Sequence, residues 1–247
     1  MKKLLFWPYQ LYVWLVFMPL IAVITLVSGW LVVFLSWAVS PRFASRYIAA
    51  NWARVLAWLI PMPVSVEGAE HAPKDRSCVV VANHLSQVDI LALYGWLGLD
   101  LKWVIKKELR KLPAVGIGCE KAGHIFVDRQ NPALARQAVN DALERLKNGI
   151  GILFFAEGTR SRTGRLLPFK KGAFRIAASQ QLPVLPVTLI GTGEVLPAKS
   201  LKLFPGRVRV IVHPLIEPVP ETPDAVKDLM NRTRNTIASA LPPEQQG

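Results

Sequence analysis

The chain is poor in cysteine. Among 247 residues only Cys78 and Cys119 occur, both in apolar surroundings. That excludes a disulfide framework and leaves no C-x-x-C motif for zinc or redox chemistry, so a reducing compartment is the expected setting. There is no G-x-S-x-G elbow, no P-loop and no G-x-G-x-x-G, and neither cysteine has a plausible base beside it. No second histidine stands at metal-ligand spacing, so no metal site is expected. Charge is also missing over a long stretch: residues 4–41 contain no Asp, Glu, Lys, Arg or His, and the first acidic residue is Glu67. This block is roughly twice the ~20 residues that cross a bilayer as a helix. It is too long for a signal-peptide core of about 7–15 residues.

Positive charge flanks the block on both sides, with Lys2 and Lys3 before it and Arg42, Arg46 and Arg54 after it. Because Lys and Arg favour the cytoplasmic flank, both ends are placed on that face. The expected form is a hairpin with a break near Pro19 or Ser28-Gly29; a single long tilted span is the competing form. Residues 43–60, "FASRYIAANWARVLAWLI", predict a second helix at the interface. Its arginines would face lipid headgroups, with Trp52 and Trp58 at headgroup depth. An ordinary core helix is the alternative, and Pro61 and Pro63 end the segment in either case.

After Pro63 short apolar runs alternate with polar helical stretches. Strands are expected at 64–68, 77–83, 101–105, 123–129, from Ile150, and in "PVLPVTLI" and "RVRVIVH". Helices are expected at 86–98, 131–149, in "GAFRIAASQQ" and at 222–240. The 131–149 helix carries its own punctuation, with Asn131 as N-cap, Pro132 in the first turn, Lys147 in the last and Gly149 after it. Alternation of this kind predicts an α/β domain with a mostly parallel central sheet flanked by helices, behind an N-terminal hydrophobic helical membrane anchor. The division expected is 1–62 for the membrane-associating helices, 63–242 for the α/β domain and 243–247 for a disordered tail.

The stretch "CVVVANHLSQVDIL", 78–91, interrupts two apolar segments with His84 and Asp89. One reading is purely structural: Ser86-x-x-Asp89 is a capping box in acidic form and His84 is a loop residue. The other uses the strand-to-helix turn, which can fold Asp89 back onto the imidazole. A carboxylate on one ring nitrogen fixes the tautomer and frees the other as a base. Ligands in α/β sheets bind beyond the carboxyl ends of the strands. Cations stand after three other strands: Lys106 and Lys107, Arg129, and the run that begins with Arg160 and includes Lys170, Lys171 and Arg175. In a parallel sheet these ends converge and form a phosphate site. What remains is a base that activates a hydroxyl on a phosphorylated acceptor, beside a membrane, with an activated acyl group as electrophile.

At these residues the sequence resembles the glycerolipid acyltransferase family, specifically the bacterial 1-acyl-sn-glycerol-3-phosphate acyltransferases. "NHLSQVD" resembles the family's N-H-x4-D block, which implies His84 as general base and Asp89 as its partner. "GHIFVDR" resembles the second block, implying acceptor phosphate at Arg129. "FAEGTRS" resembles the third, F-P-E-G-T-R, implying acceptor binding by Glu157, Gly158, Thr159 and Arg160; Ala156 departs from its proline, leaving that loop's geometry less constrained. "LPVLPV" looks like the fourth block, centred on Pro186. "KKEL", with Pro113 and Gly116 after it, resembles the segment between the first two blocks and makes Lys106 and Lys107 candidate phosphate ligands. The match runs from about residue 64 to 215.

The resemblance implies transfer of a fatty acyl group from an acyl thioester to lysophosphatidic acid, giving phosphatidic acid for phospholipid synthesis. No cofactor is implied beyond the co-substrate, an acyl-carrier-protein or coenzyme A thioester. The expected partners are the lipid bilayer, lysophosphatidic acid and that donor, with no nucleic acid. The expected location is the inner membrane, catalytic domain on the cytoplasmic face. Backbone N–H groups of the Asn83–Ser86 turn are the expected oxyanion hole. Two other readings stand beside this one: the same chemistry on glycerol 3-phosphate, another lysolipid or an amino-lipid, and a non-catalytic basic protein, to which the net charge of +13 would by itself point.

Overall fold

The computed structural model describes residues 3–128, 131–145 and 149–247; Arg129 and Lys147 lie outside them. Its strands are β1 (Val64–Glu67), β2 (Cys78–Ala82), β3 (Asp100–Lys106), β4 (Ile125–Val127), β5 (Ile150–Phe155), β6 (Val184–Ile190) and β7 (Val208–Val212). They form one sheet in the order β1-β7-β6-β2-β5-β3-β4. From β6 to β4 all neighbours are parallel; β7 runs antiparallel to β6, and β1 runs with β7. The expected α/β class with a mostly parallel sheet is therefore the observed one. Every residue of β2 is buried, which is why "CVVVA" is apolar without alternation: both faces of a central parallel strand are covered.

The helices are α1 (Lys3–Tyr12), α2 (Met18–Ala38), α3 (Pro41–Phe43), α4 (Ala50–Leu59), α5 (Asp89–Trp96), α6 (Val115–Lys121), α7 (Pro132–Arg145), α8 (Gly172–Ser179), α9 (Thr192–Val195) and α10 (Pro223–Ser239). Along β2, Val80 and Ala82 face a core shared with α4 and α5, and Val79 and Val81 face the opposite one, filled by Phe174 of α8 and Leu229 and Ile237 of α10. The expected Asn131 cap is present, and Thr222 caps α10 in the same way. The Asn131 side-chain oxygen accepts from the Leu134 N–H at 3.1 Å and Thr222 Oγ1 from Ala225 N–H at 3.3 Å. The short helices α6 and α9 carry no periodicity long enough to read from the sequence.

The N-terminal block folds differently from the expected break. Neither Pro19 nor Ser28-Gly29 interrupts it. The apolar helical stretch runs from Phe6 to Ala38, 33 residues, through a π-helical turn at Val13–Phe17. Proline has no N–H and its ring presses on the carbonyl four residues back; the widened turn just before Pro19 absorbs both effects. The chain reverses instead at Val39–Ser40, where Ser40 Oγ accepts from Phe43 N–H at 3.1 Å. The uncharged block is therefore one long helix, the competing form, and the returning arm that packs back along α2 is the following segment, α3 through α4. Large apolar side chains line the outer face of the long helix, with Trp7, Trp30 and Trp37 at 73%, 58% and 83% exposure. By length and composition the stretch is long and apolar enough to cross a membrane, which hints at membrane association.

Gly29 serves another purpose. A Cβ there would lie 2.7 Å from the Ala114 carbonyl oxygen, and one on Gly118 would lie 3.2 Å from Gly29 Cα. Backbone thus meets backbone where α2 crosses α6. The returning arm answers both readings of residues 43–60. Ala53, Leu56 and Ala57 of α4 are buried against the sheet core, while Trp58 is 78% exposed. Leu56 and Ile60 share a cluster with Val80 and Leu93, so the returning arm packs directly on the sheet. Replacing Gly29 by valine is expected to force α2 off α6 and cost about 1–3 kcal/mol, the usual toll of overpacking. Thermal unfolding of the detergent-solubilised protein checks this; an unchanged midpoint would show the crossing to be loose.

Candidate active site

Because β6, β2, β5, β3 and β4 are parallel, their carboxyl ends open on one edge of the sheet. His84 leaves β2 there. Its Nδ1 lies 2.7 Å from Asp89 Oδ2. The same oxygen accepts from the Leu85 N–H at 2.8 Å and the Ser86 N–H at 2.9 Å. A carboxylate only accepts, so Nδ1 carries the proton and Nε2 presents its lone pair. Nε2 has no protein partner among the described residues. Asp89 is fully buried and the His84 side chain is 17% exposed, which leaves one edge of the ring open to a substrate. The aromatic ring of Phe155, at the end of β5, lies 3.8 Å from the imidazole at an interplanar angle of 14°, a shelf that fixes the ring plane.

The capping expectation holds in one half. Asp89 reaches back to the Ser86 N–H, but the helix starts at Asp89 rather than Ser86. The Ser86 hydroxyl donates to the Leu196 carbonyl at 2.7 Å and accepts weakly from Val88 N–H at 3.3 Å. Asn83 locks the preceding residue to β6: its amide donates to the Leu189 carbonyl at 2.9 Å and accepts from the Leu189 N–H at 2.7 Å. The expected oxyanion hole is corrected by this geometry. The N–H groups of Leu85 and Ser86 are held by Asp89, and that of His84 donates to Glu157 Oε1 at 2.7 Å. Carboxylates have already taken the donors of that turn.

Glu157 is likewise not where an acceptor ligand would be. It is buried, 3% exposed, and its second oxygen accepts from the Leu167 N–H at 2.9 Å. It clamps the β5 loop to the His84 backbone, and the Ser161 N–H to His84 carbonyl bond, 2.8 Å, closes the clamp from the other side. Burial pushes the Glu157 carboxyl up to about 7, against the two backbone donors that favour its charge; the Asp89 charge adds to the rise and Arg234 opposes it. Pro186 is also removed from the site. It sits in mid-β6 opposite Val81, buried in the sheet, its carbonyl accepting from His213 N–H at 3.0 Å. Proline is tolerated there because pairing with β7 begins only at Val187.

The cations divide into spent and free. Lys107 pairs with Asp128 at 2.6 Å, which raises its pKa, first through that hydrogen bond, and Lys106 stands 3.9 Å from Glu108. Arg160 is half-buried and has no ion-pair partner among the described residues; it directly precedes Ser161, which is tied to the His84 backbone. Gly158 and Thr159 are exposed beside it. Gly158 has φ +71°, and a Cβ there would come within 2.7 Å of Lys170 Nζ, so that ammonium folds over the loop toward the same edge. Phe155, Asn83 and Ser161 are the contributors that sequence reasoning left without a role. Asn83 alone offered a signal, as a polar residue ending a fully apolar strand.

A cavity of about 140 Å³ lies between α2, α4, α5 and α6. Its walls include Gly29, Val32, Trp52, Ile90, Tyr94 and Cys119, and Ile90 directly follows Asp89. The lining is almost wholly apolar.

Comparisons with known proteins bear on the family and the fold. A family model described as acyltransferase matches residues 63–190. The chain is 36% identical over 199 residues to the chloroplastic 1-acyl-sn-glycerol-3-phosphate acyltransferase of Brassica napus, 79% of this chain and 56% of that one. It is 31% identical over 187 residues to the human 1-acyl-sn-glycerol-3-phosphate acyltransferase alpha, 75% of this chain and 65% of that one. The chain thus spans somewhat over half the length of these curated relatives. The crystal structure of the 1-acyl-sn-glycerophosphate (LPA) acyltransferase of Thermotoga maritima superposes with a TM-score of 0.79 at 30% identity, covering 97% of each chain.

The Glu157 clamp has a pH signature. An unfolded glutamate titrates near 4.3 and the folded one at about 7. Between those values the folded chain keeps a proton that the unfolded chain has lost. The contribution of this group is thus fully present below ~4, declines by roughly 3–4 kcal/mol as pH rises toward 7, and is flat above. Denaturant titrations from pH 4 to 8 of wild type and Glu157→Gln should differ by this slope; parallel curves would show that the carboxyl titrates normally.

Proposed function

The chain belongs to the acyltransferase family, and from that premise we propose that it transfers a fatty acyl group from an acyl thioester to the sn-2 hydroxyl of 1-acyl-sn-glycerol 3-phosphate, lysophosphatidic acid, to give phosphatidic acid. The observation that carries the reading is the 2.7 Å contact between His84 Nδ1 and a fully buried Asp89, with Nε2 left open at the strand ends. His84 Nε2 takes the hydroxyl proton as the acceptor oxygen attacks the thioester carbonyl carbon. The C–S bond then breaks, and the imidazolium returns the proton to the departing thiolate. Asp89 holds the ring by Nδ1 and offsets the imidazolium charge.

Arg160 and Lys170 are the cations that the geometry leaves available to the acceptor phosphate, with Lys106 at the rim. Holding the phosphate fixes the distance between hydroxyl and base, and positioning of this kind is itself a large part of catalysis. The apolar cavity beside Ile90 suits an acyl chain. The hairpin's exposed apolar face supports association with the inner membrane, catalytic edge toward the cytoplasm, where lysophosphatidic acid is met in the bilayer and the donor, a carrier-protein or coenzyme A thioester, arrives from water. No metal or other cofactor enters the scheme.

Purified His84→Ala is expected to lose about 10²–10⁴ in kcat toward lysophosphatidic acid, and Asp89→Asn a comparable amount because the wrong tautomer is favoured. Wild-type turnover by His84→Ala would end the mechanism. Arg160→Ala should act chiefly on the acceptor, raising its KM with little change in donor KM. A panel of acceptors, glycerol 3-phosphate included, decides the substrate.

A further inference from the structure

Three arginines punctuate the returning arm of the hairpin, and the structure uses them differently. Arg42 turns toward the protein body, its Nη2 within 2.7 Å of where a Cβ on Gly149 would lie. Arg46 and Arg54 instead line a separate cavity of about 220 Å³ with Tyr47 and Asn51, closed at the back by Gly95 at the end of α5. No acidic side chain lines it. Arg54 Nε donates to the Gly95 carbonyl at 2.7 Å. A Cβ on Gly95 would lie 3.3 Å from Arg54 Cγ, so the bare glycine lets the arginine stem lie flat across α5. The guanidinium is thereby oriented while its Nη groups have no protein partner among the described residues. Arg46 has none either. Two guanidiniums without an acidic partner among the described residues, and a carboxamide, around an opening of about 220 Å³ are an anion site of the bidentate kind.

Its surroundings say which anion. Tyr47 is 51% exposed and its ring sits 4.8 Å from that of Phe43. Exposed Val55 and Trp58 continue the stripe along α4, and Phe34 and Trp37 lie on the neighbouring arm. The polar opening is therefore set in the apolar face that meets the membrane. Gly95 lies six residues beyond Asp89, about 9 Å along α5, and toward the sheet edge opposite the one that carries His84. A phosphate here is not the reacting acceptor's.

We propose that the Arg46–Asn51–Arg54 cavity is a second phosphate-recognition site, occupied by the headgroup phosphate of an anionic membrane phospholipid whose acyl chains lie along the exposed face of the hairpin. The site pins the returning arm to the headgroup layer.

The test needs no turnover. Binding of dihexanoyl-phosphatidylglycerol, soluble and below its micelle concentration, is measured in full-length protein carrying Arg160→Ala in every arm, so that the strand-end site is weakened equally. Saturable binding is expected, reduced roughly fivefold by Arg46→Gln and more than tenfold by Arg46→Gln/Arg54→Gln, with dihexanoyl-phosphatidylcholine and inorganic phosphate both binding more weakly. Arg46 has no protein partner, so its single variant separates loss of the site from loss of fold, and the unfolding midpoint of the double variant is recorded beside it. Unchanged affinity in both variants overturns the site. Inorganic phosphate binding as tightly as the lipid overturns the assignment to a phospholipid.

Discussion

One carboxylate oxygen organises the reactive edge of this molecule. Asp89 Oδ2 holds the His84 imidazole and the N–H groups of Leu85 and Ser86 within 2.9 Å. Structural and chemical duties are thus the same bonds: the oxygen that shapes the strand-to-helix turn also fixes the histidine tautomer. The arrangement is costly. Asp89 is fully buried, and its other oxygen, Oδ1, has no partner among the described residues. A buried acceptor left unmatched is worth about 1–3 kcal/mol of lost stability. Helix capping alone would be served as well by an exposed aspartate, so the burial is better explained by the need to hold a histidine rigidly at a surface.

The same logic extends outward by one layer. Glu157 grips the His84 N–H and Ser161 the His84 carbonyl, so the backbone of the base is clamped from β5 while its ring lies on Phe155. Asn83 ties the preceding residue to β6. Three parallel strands therefore determine where Nε2 points. A single loop would leave it free to wander, and a misplacement of 1 Å is enough to cost orders of magnitude in rate. Glu157 is the instructive case. Its place in the block "FAEGTRS" suggests a substrate ligand, whereas its burial and its two backbone partners make it a brace, with only Arg160 of that block left as a free charge.

How far the sequence discloses this depends on the range of the interaction. The fold class follows from alternating apolar runs and the cap at Asn131, because these signals are local. That His84, Arg160, Lys106 and Lys107 come at or after the carboxyl ends of strands follows from a parallel sheet, which alternation also implies. What was hidden is long-range pairing: Asn83 with Leu189, Glu157 with Leu167, and the neutralisation of Lys107 by Asp128. Nothing in the spacing of Pro186 separates a site residue from a sheet residue. The hairpin reversal was misplaced for a related reason. Pro19 and Gly29 read as breakers in isolation, but a π-helical turn absorbs the first and a helix crossing requires the second.

Fusion of anchor and sheet has a mechanical consequence. The exposed face of α4 carries Trp58 while its buried face, through Leu56 and Ile60, shares a core with Val80 and Leu93. Side chains in such a core interdigitate at crystal-like density and do not slide. The exposed apolar face of the hairpin is therefore fixed relative to β2, and so relative to His84. A flexible tether would deliver the domain to the membrane but leave its orientation to chance. Here α5 links the two directly, beginning at Asp89 and packing along α4. The apolar cavity between α2, α4, α5 and α6 starts beside that junction. One packed unit therefore holds the walls of that cavity and the His84 turn in a fixed relation to each other.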